Sequence, residues 1–264
     1  MKRIPMLLVL LFICSSHELF LKTDSYFLSE GEAVELYLYN GTFDQSENVI
    51  SRDRIVSANI LGPDYNFNPS DADYFDQDAS TRLKFATGKE GTYLAGISTK
   101  ARNIELTAVE FKEYLEHEGL DRMVKEREGK GISDKDVVEK YSKHVKALLQ
   151  VGNSTSEEYK TVLDYPIEFI PQQNPYELTT GENIDFQLVY KGNPLSNTVV
   201  RFGLTESGSQ DVKSYASITD DDGLFSFELG NPGQYYVATI HMVESDEPGL
   251  DYESNWATLT FAVK

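Results

Sequence analysis

Short β-type segments separated by turn residues recur along most of this chain, and they constrain its fold more than any other feature. One series runs from residue 19 to about residue 111, and a second runs from residue 184 to residue 263. Each segment alternates apolar and polar residues or is rich in β-branched and aromatic residues, and turns such as Asn40-Gly41 separate the segments. This pattern is typical of antiparallel sandwiches. We therefore expect a mainly β protein with two immunoglobulin-like β-sandwich domains.

The predicted strands are short, and none is interrupted by a proline. In the first series they cover residues 19–21, 34–39, 55–60, 83–86, 93–97 and 104–109, and in the second residues 184–190, 198–202, 215–219, 224–229, 235–242 and 256–263.

Between the two series the apolar residues recur at intervals of three and four. The first set is Phe111, Tyr114, Leu115, Leu120, Met123 and Val124, and the second is Val137, Val138, Tyr141, Val145, Leu148 and Leu149. Because this spacing places apolar side chains on one face of a helix, it predicts two amphipathic helices. We expect them to form a helical arm at about 110–150, inserted between the two sandwiches.

Prolines mark the passage from the first unit to the second. Pro166, Pro171 and Pro175 lack the backbone N–H that a central strand needs, so they indicate a linker or an edge strand. We therefore expect an amino-terminal domain over residues 17–163 and a carboxy-terminal domain over residues 164–264 that folds by itself. Trp256 in the last strand should be at least partly buried.

The first residues have the features of a secretory signal. Lys2 and Arg3 precede the apolar run 6–13, which is too short for a permanent membrane anchor, and small residues follow it. Cleavage after Ser16 would leave His17 as the first residue of the mature chain. The alternative is lipidation of Cys14. Both alternatives predict export to the periplasm or cell surface, with no transmembrane span after signal removal.

The charge limits the classes of partner. The chain carries 43 acidic and 24 basic side chains, a formal net charge of −19, which argues against nucleic acid and anionic lipid as partners. Its single cysteine excludes disulfide scaffolds and multi-cysteine zinc sites. No nucleophile elbow, phosphate loop or dinucleotide fingerprint is present in the sequence, so we expect binding rather than catalysis.

Several stretches, in order along the chain, resemble an exported family of unknown function often labelled as a nickel-uptake, substrate-specific (NikM-like) periplasmic component. They are residues 17–21, 114–120, 141–146, 166–171, 174–176, 192–195, 219–223, 241–242 and 253–261. The resemblance implies a cell-envelope protein with a metal-handling, nickel- or cobalt-type transport role, working with an envelope transport system. The competing interpretation is a surface recognition or scaffold module that binds glycan or protein without a metal.

Two histidines are candidate metal ligands. A histidine at a free amino terminus offers its α-amine and its imidazole to Ni²⁺ or Cu²⁺, and His17 would be such a residue. His241 is the candidate second ligand, because it matches the His-Met step of the family. The alternative is that both histidines only pack or form hydrogen bonds, as isolated histidines usually do.

The remaining polar candidates have simpler interpretations. His117 and His144 lie among charged residues of the predicted helices, so we expect them at the surface. The aspartates of residues 220–222 precede Gly223 and predict a hairpin turn. A second acidic group could bind Ca²⁺ through its carboxylate oxygens, although an exposed, solvated loop is the default; it comprises Asp71, Asp73, Asp76 and Asp78.

Overall fold

The structure is a computed structural model, and it describes residues 18–264. Over these residues the chain is mainly β. In chain order the elements are β1 (Glu18–Lys22), β2 (Phe27–Leu28), β3 (Ala33–Gly41), β4 (Ser46–Asn48), β5 (Ile55–Gly62), β6 (Tyr65–Phe67), β7 (Tyr74–Gln77), β8 (Ser80–Ala86), β9 (Gly91–Thr99), β10 (Arg102–Leu106), α1 (Ala108–His117), α2 (Asp121–Lys130), β11 (Val137–Val151), β12 (Ile167–Pro171), β13 (Asn183–Tyr190), β14 (Asn193–Pro194), β15 (Val199–Glu206), β16 (Val212–Ile218), β17 (Leu224–Glu228), β18 (Gly233–Glu244) and β19 (Tyr252–Val263).

The strands form three sheets. The central sheet has the order β16-β15-β18-β19-β11-β9-β5-β6, with β10 and β2 also paired to β11. The first outer sheet has the order β1-β3-β8-β7, with β4 on β3, and the second has the order β12-β13-β14, with β17 on β13. Neighbouring strands are antiparallel except where β11 pairs with β19 and with β2. The predicted mainly β, antiparallel architecture is therefore confirmed.

The two outer sheets cover opposite faces of the central sheet. Val145, Ala147 and Leu149 of β11 pack in a core with residues of β1, β3 and β8. Leu148 belongs instead to a second core with residues of β12, β13 and β17. Because alternate residues of a strand point to opposite faces, β11 contributes to both cores at once.

The central sheet crosses the boundary predicted at residues 163 and 164. Strand β11 from the first half pairs in parallel with β19 from the second half, with Lys143 opposite Trp256 in the register. The two halves of the chain thus share one sheet. Independent folding of residues 164–264 stays a prediction.

The prediction of a second helix over the apolar set that begins at Val137 is wrong. Val137–Val151 is a 15-residue strand at the centre of the sheet, so the helical part of the chain is α1 and α2, within residues 108–130. Both edges of β11 are paired and both faces are covered, so its apolar residues do not follow a simple alternation. The six apolar residues of this set therefore resemble one face of a helix.

The two helices pack at the end of the central sheet. The Thr107 side chain accepts a hydrogen bond from the Glu110 N–H and begins α1, and Gly131 ends α2 in the left-handed conformation. Their apolar faces form a third core with β18 and β19, which includes Phe111, Leu115 and Trp256. The short helix pair therefore covers a part of the sheet that the first outer sheet leaves open.

Three local predictions can be compared directly with the structure. Ile167–Pro171 is an edge strand, and Trp256 is buried, as predicted. Asp220–Gly223 forms a tight turn in which the Asp220 side chain accepts from the backbone of Asp222 and Leu224. The turn does not close a hairpin, because β16 and β17 lie in different sheets.

Candidate functional site

A group of buried and partly buried charged side chains lies where β1 meets the end of helix α1 and the central sheet. We call it the β1 cluster, and it consists of Glu18, Glu118, Glu139, Lys143 and Arg201. The side chains come from β1, the end of α1, β11 and β15, so long-range pairing brings them together. Charged groups of this kind are rarely buried unless they are paired or functional.

Arg201 joins three parts of the cluster. Its guanidinium donates to the Glu118 carboxylate and to the main-chain oxygen of His117, and its Nη1 lies 4.0 Å from Oε1 of Glu18. The Glu118 side chain is only 2% exposed, whereas that of Arg201 is 25% exposed. Arg201 therefore covers the solvent side of two carboxylates.

Glu139 lies deepest in the cluster. Tyr114 and Ser254 donate hydrogen bonds to Oε1 of Glu139, and its Oε2 has no hydrogen-bond partner among the described residues. Burial raises the pKa of the Glu139 carboxyl, against the hydrogen bonds from Ser254 and Tyr114. The ring of Tyr114 is stacked on Trp256, with centroids 6.0 Å apart, so an aromatic wall lies beside the carboxyl group.

Lys143 and Glu18 are groups of opposite charge, and their surroundings shift the pKa of each. Burial, with the nearby positive charge of Arg54, lowers the pKa of Lys143 to about 7. Burial, followed by repulsion from Glu118, raises the pKa of Glu18 to about 7. Lys143 also donates to Oδ1 of Asn40 at 3.0 Å. Two groups of opposite charge therefore change protonation in the neutral pH range, as binding and catalytic groups often do.

The candidate ligand His241 lies on the other face of the central sheet. Tyr236 and Ala238 of the same strand pack with Phe20 of β1, and Met242 packs with the helices. His241 alternates with these residues, and its ring contacts Tyr190 of β13 with centroids 4.4 Å apart. Burial, followed by the positive charges of Arg122 and Lys191, lowers the pKa of His241. The other candidate ligand, His17, lies outside the described residues, so their joint role stays a prediction.

The two helix-region histidines differ in environment. His117 is at the surface as predicted, with a side chain 73% exposed and Nδ1 2.9 Å from Oε1 of Glu118. The surface prediction for His144 is wrong, because β11 buries it between Ser98 at 2.9 Å and Ser142 at 3.0 Å. Burial lowers the pKa of His144 to about 4.

Three of the four aspartates considered for Ca²⁺ have local side-chain partners. Asp73 caps a helical turn with Ser70, Asp76 accepts from Arg52 and Thr81, and Asp78 pairs with Arg82. Asp71 begins the same short helical turn that Asp73 caps. The geometry adds nothing to the calcium hypothesis.

The described residues do not by themselves form a metal site. Residues 18–264 contain no group of three or more His, Cys, Asp or Glu side chains that could hold a metal. Arg201 pairs with Glu118 and lies 4.0 Å from Glu18, and His117, outside the cluster, contacts Glu118 through its Nδ1. A role of His17 as a metal ligand stays a prediction.

A sequence profile described as "Domain of unknown function (DUF4198)" matches residues 14–243. The chain belongs to the DUF4198 family. The matched range includes all five residues of the β1 cluster and also His241. No curated protein matches this DUF4198 chain.

Solved structures resemble the DUF4198 chain only distantly. The D0-D1 domain of intimin is 12% identical, with 92% of this chain and 97% of that chain covered and a TM-score of 0.23. A tetra-tandem repeat from the extending region of a large adhesion protein is 10% identical, with 94% and 50% covered and a TM-score of 0.24. Trypsin-activated alpha-2-macroglobulin from Escherichia coli is 9% identical, with 93% and 15% covered and a TM-score of 0.23. At these TM-scores the similarities carry no argument about function.

Sequence reasoning missed the cluster itself. Glu118, Lys143 and Arg201 are ordinary charged residues in the sequence, separated by up to 83 positions between Glu118 and Arg201. The sequence around Lys143 gives no signal of burial, because Lys140, Ser142 and His144 beside it are polar as well. None of the helices in the described part of the chain is long and apolar enough to cross a membrane.

Proposed function

We propose that this protein is an exported cell-envelope binding protein that handles a divalent transition metal of the nickel or cobalt type at its amino terminus. One observation supports the proposal: Glu18, which directly follows His17 in the sequence, lies in a cluster of charged side chains at the amino-terminal part of β1. The β1 cluster would then be the floor of the binding site.

Strand β1 fixes the position of Glu18. Glu18 pairs with Gly41, and the following residues Leu19 and Phe20 are fully buried. Thr258 donates a hydrogen bond to the main-chain oxygen of Leu19 from the central sheet.

The nitrogen donors of a terminal histidine and the carboxyl groups of the β1 cluster are complementary as metal ligands. A terminal histidine offers an amine and an imidazole nitrogen, which suit Ni²⁺ and Cu²⁺, and carboxylate oxygens can complete the ligand set. Glu18 is the carboxyl group best placed to do so, because Arg201 already pairs with Glu118. A bound metal would supply positive charge near Glu18, whose pKa is raised by burial and then by repulsion from Glu118.

Calorimetric titration with NiCl₂ tests this proposal. The mature form beginning at His17 should bind nickel, and a form with one added residue before His17 should bind at least tenfold more weakly, because its α-amine is displaced. Affinity should fall below about pH 6, because both nitrogens must lose their protons to bind. His241→Ala tests the second ligand predicted from the sequence. Equal affinities of the mature and extended forms would contradict the proposal.

Export itself is part of the proposal. The basic start, the short apolar run and the small residues before His17 support signal removal after Ser16, with acylation of Cys14 as the alternative. Mass analysis of the protein recovered from the envelope distinguishes the two, and an intact Met1 would contradict both. An immunoglobulin-like strand arrangement in each half is likewise proposed here.

A second candidate is a surface recognition module without a metal. Strand β16 forms an edge of the central sheet, and its Tyr215 and Ile218 are exposed although both are large and apolar. Aromatic side chains on an exposed strand can stack on sugar rings or on a peptide. Binding to an immobilised glycan panel that is lost in Tyr215→Ser, together with no response to nickel, would favour this candidate.

A further inference from the structure

We propose that the side chains of Lys143 and Asn40 join in an intramolecular isopeptide bond, with loss of ammonia. The bond would tie strand β11 of the central sheet to strand β3 of the first outer sheet. This inference goes beyond the proposed function and does not depend on a metal.

The two reacting groups are already in contact. The Lys143 amine donates a hydrogen bond to Oδ1 of Asn40 at 3.0 Å, although the two residues are 103 positions apart in the sequence. The carbonyl carbon that the amine would attack is bonded to that oxygen, so a rotation of the side-chain amide brings the carbon into line with the nitrogen. Contact of this kind replaces a collision between two molecules by a step within one molecule.

Paired strands hold both residues in place. Lys143 lies in the middle of β11, opposite Trp256 of β19 in the register. Asn40 lies near the end of β3, opposite Leu19 of β1, and its backbone N–H donates to Oγ of Ser46 at 3.2 Å. The contact between the two side chains therefore follows from the packing of one sheet on the other.

The surroundings of Lys143 favour an uncharged, nucleophilic amine. Lys143 is 7% exposed, and its nitrogen lies 5.8 Å from the ring centroid of Trp256 and 5.9 Å from that of Tyr141. Burial, followed by the positive charge of Arg54, lowers the pKa of Lys143 to about 7. Because the deprotonated amine is the nucleophile, a large fraction of Lys143 is able to react at neutral pH.

The reaction consumes no other reagent. The amine nitrogen of Lys143 bonds to Cγ of Asn40, the bond between Cγ and Nδ2 breaks, and Nδ2 leaves as ammonia with the proton that the amine has lost. No atom is oxidised or reduced. Carboxyl groups that can carry this proton are near, because three of them act electrostatically on the amine: Glu18, Glu118 and Glu139.

Intact-mass spectrometry of the mature protein tests the proposal. The folded wild type should be lighter than its sequence mass by one ammonia molecule, about 17 Da. A protease digest should contain one pair of peptides joined through Lys143 and Asn40. Lys143→Met and Asn40→Ala should each have their full sequence mass.

Lys22→Met is the matched control. Lys22 is also a buried lysine close to β3, but its amine donates to a main-chain oxygen, that of Phe43, which is not a group that loses ammonia. This variant should keep the mass loss and the joined peptides.

A cyclic imide formed by Asn40 with the main-chain nitrogen of Gly41 would lose the same mass. The imide does not need the Lys143 amine, so it would persist in Lys143→Met and would leave the two peptides separate. The digest and the lysine variant therefore distinguish the two products.

A denaturing gel gives a second readout. A bond between residues 40 and 143 closes a long loop in the unfolded chain, so the wild type should migrate faster than Lys143→Met and should unfold at a higher temperature. A wild type of full sequence mass after prolonged incubation in the folded state would overturn the proposal, and this measurement needs no variant. A mass loss that persists in Lys143→Met would overturn it as well.

Discussion

The two faces of β11 both bury charged side chains, but the two faces differ in how completely those charges are compensated. On the face toward the second outer sheet, Lys146 pairs with Glu168, and each also bonds to backbone groups of residues 161–169. On the face toward β1, Lys143 has a pKa lowered to about 7, and Glu139 has a carboxylate oxygen without a partner among residues 18–264. A closed network stabilises one arrangement, whereas an incompletely compensated one can respond to a ligand.

The largest loss of stability should come from breaking the Lys146–Glu168 pair. Lys146→Met leaves the Glu168 carboxylate buried without its cation, so we expect a loss of about 3–5 kcal/mol in the free energy of unfolding. Urea denaturation measures this loss. The double variant Lys146→Met/Glu168→Gln should recover most of it, because no uncompensated charge then remains. A single variant as stable as the wild type would show that the pair is not buried as described.

A second prediction concerns His144 on the same face. Its pKa is about 4 in the folded protein and about 6.5 when unfolded, so the unfolded chain binds a proton first as the pH falls. The contribution of His144 to the free energy of unfolding is fully present above about pH 6.5. About 3 kcal/mol of that free energy should be lost as the pH falls from 6.5 to 4.

His144→Gln is the control for this pH dependence. Urea denaturation at a series of pH values should show a shallower decline of stability in this variant than in the wild type over the same range. An identical decline in both proteins would assign the pH dependence to other groups.

The smallest loss of stability should come from a change in the β1 cluster. Arg201→Met leaves the buried Glu118 carboxylate without its cation, but Arg201 is itself 25% exposed and water can take part of its place, so without metal we expect a loss of about 2 kcal/mol. Comparison of its urea midpoint with that of Lys146→Met measures the difference between the two faces. A loss as large as that of Lys146→Met would mean that the β1 cluster is a closed structural network too.

The sequence predicts most strands but not the arrangement of this central region. Alternation along residues 34–39 and 184–190 identified β3 and β13, because each has one buried and one less buried face. Strand β11 was mistaken for a helix because its neighbours β9 and β19 come from distant parts of the chain. The same distances explain why neither the shared sheet nor the β1 cluster could be predicted.

The face on which a candidate ligand lies depends on strand register. His241 and Met242 are adjacent in sequence, yet one contacts Tyr190 and the other packs with the helices. Register follows from the pairing of β18 with β15 and β19, which no local pattern contains. A histidine chosen by its motif could therefore not be assigned to the face that carries β1.

The position of a bound metal tests the central claim most directly. A crystal structure of the nickel-loaded mature protein, with anomalous scattering at the nickel absorption edge, locates the ion without reference to any variant. Our account predicts an anomalous peak at the amino terminus of β1, within coordination distance of the Glu18 carboxylate. A peak beside His241 on the opposite face of the sheet, or no peak in a crystal grown with saturating nickel, would contradict it.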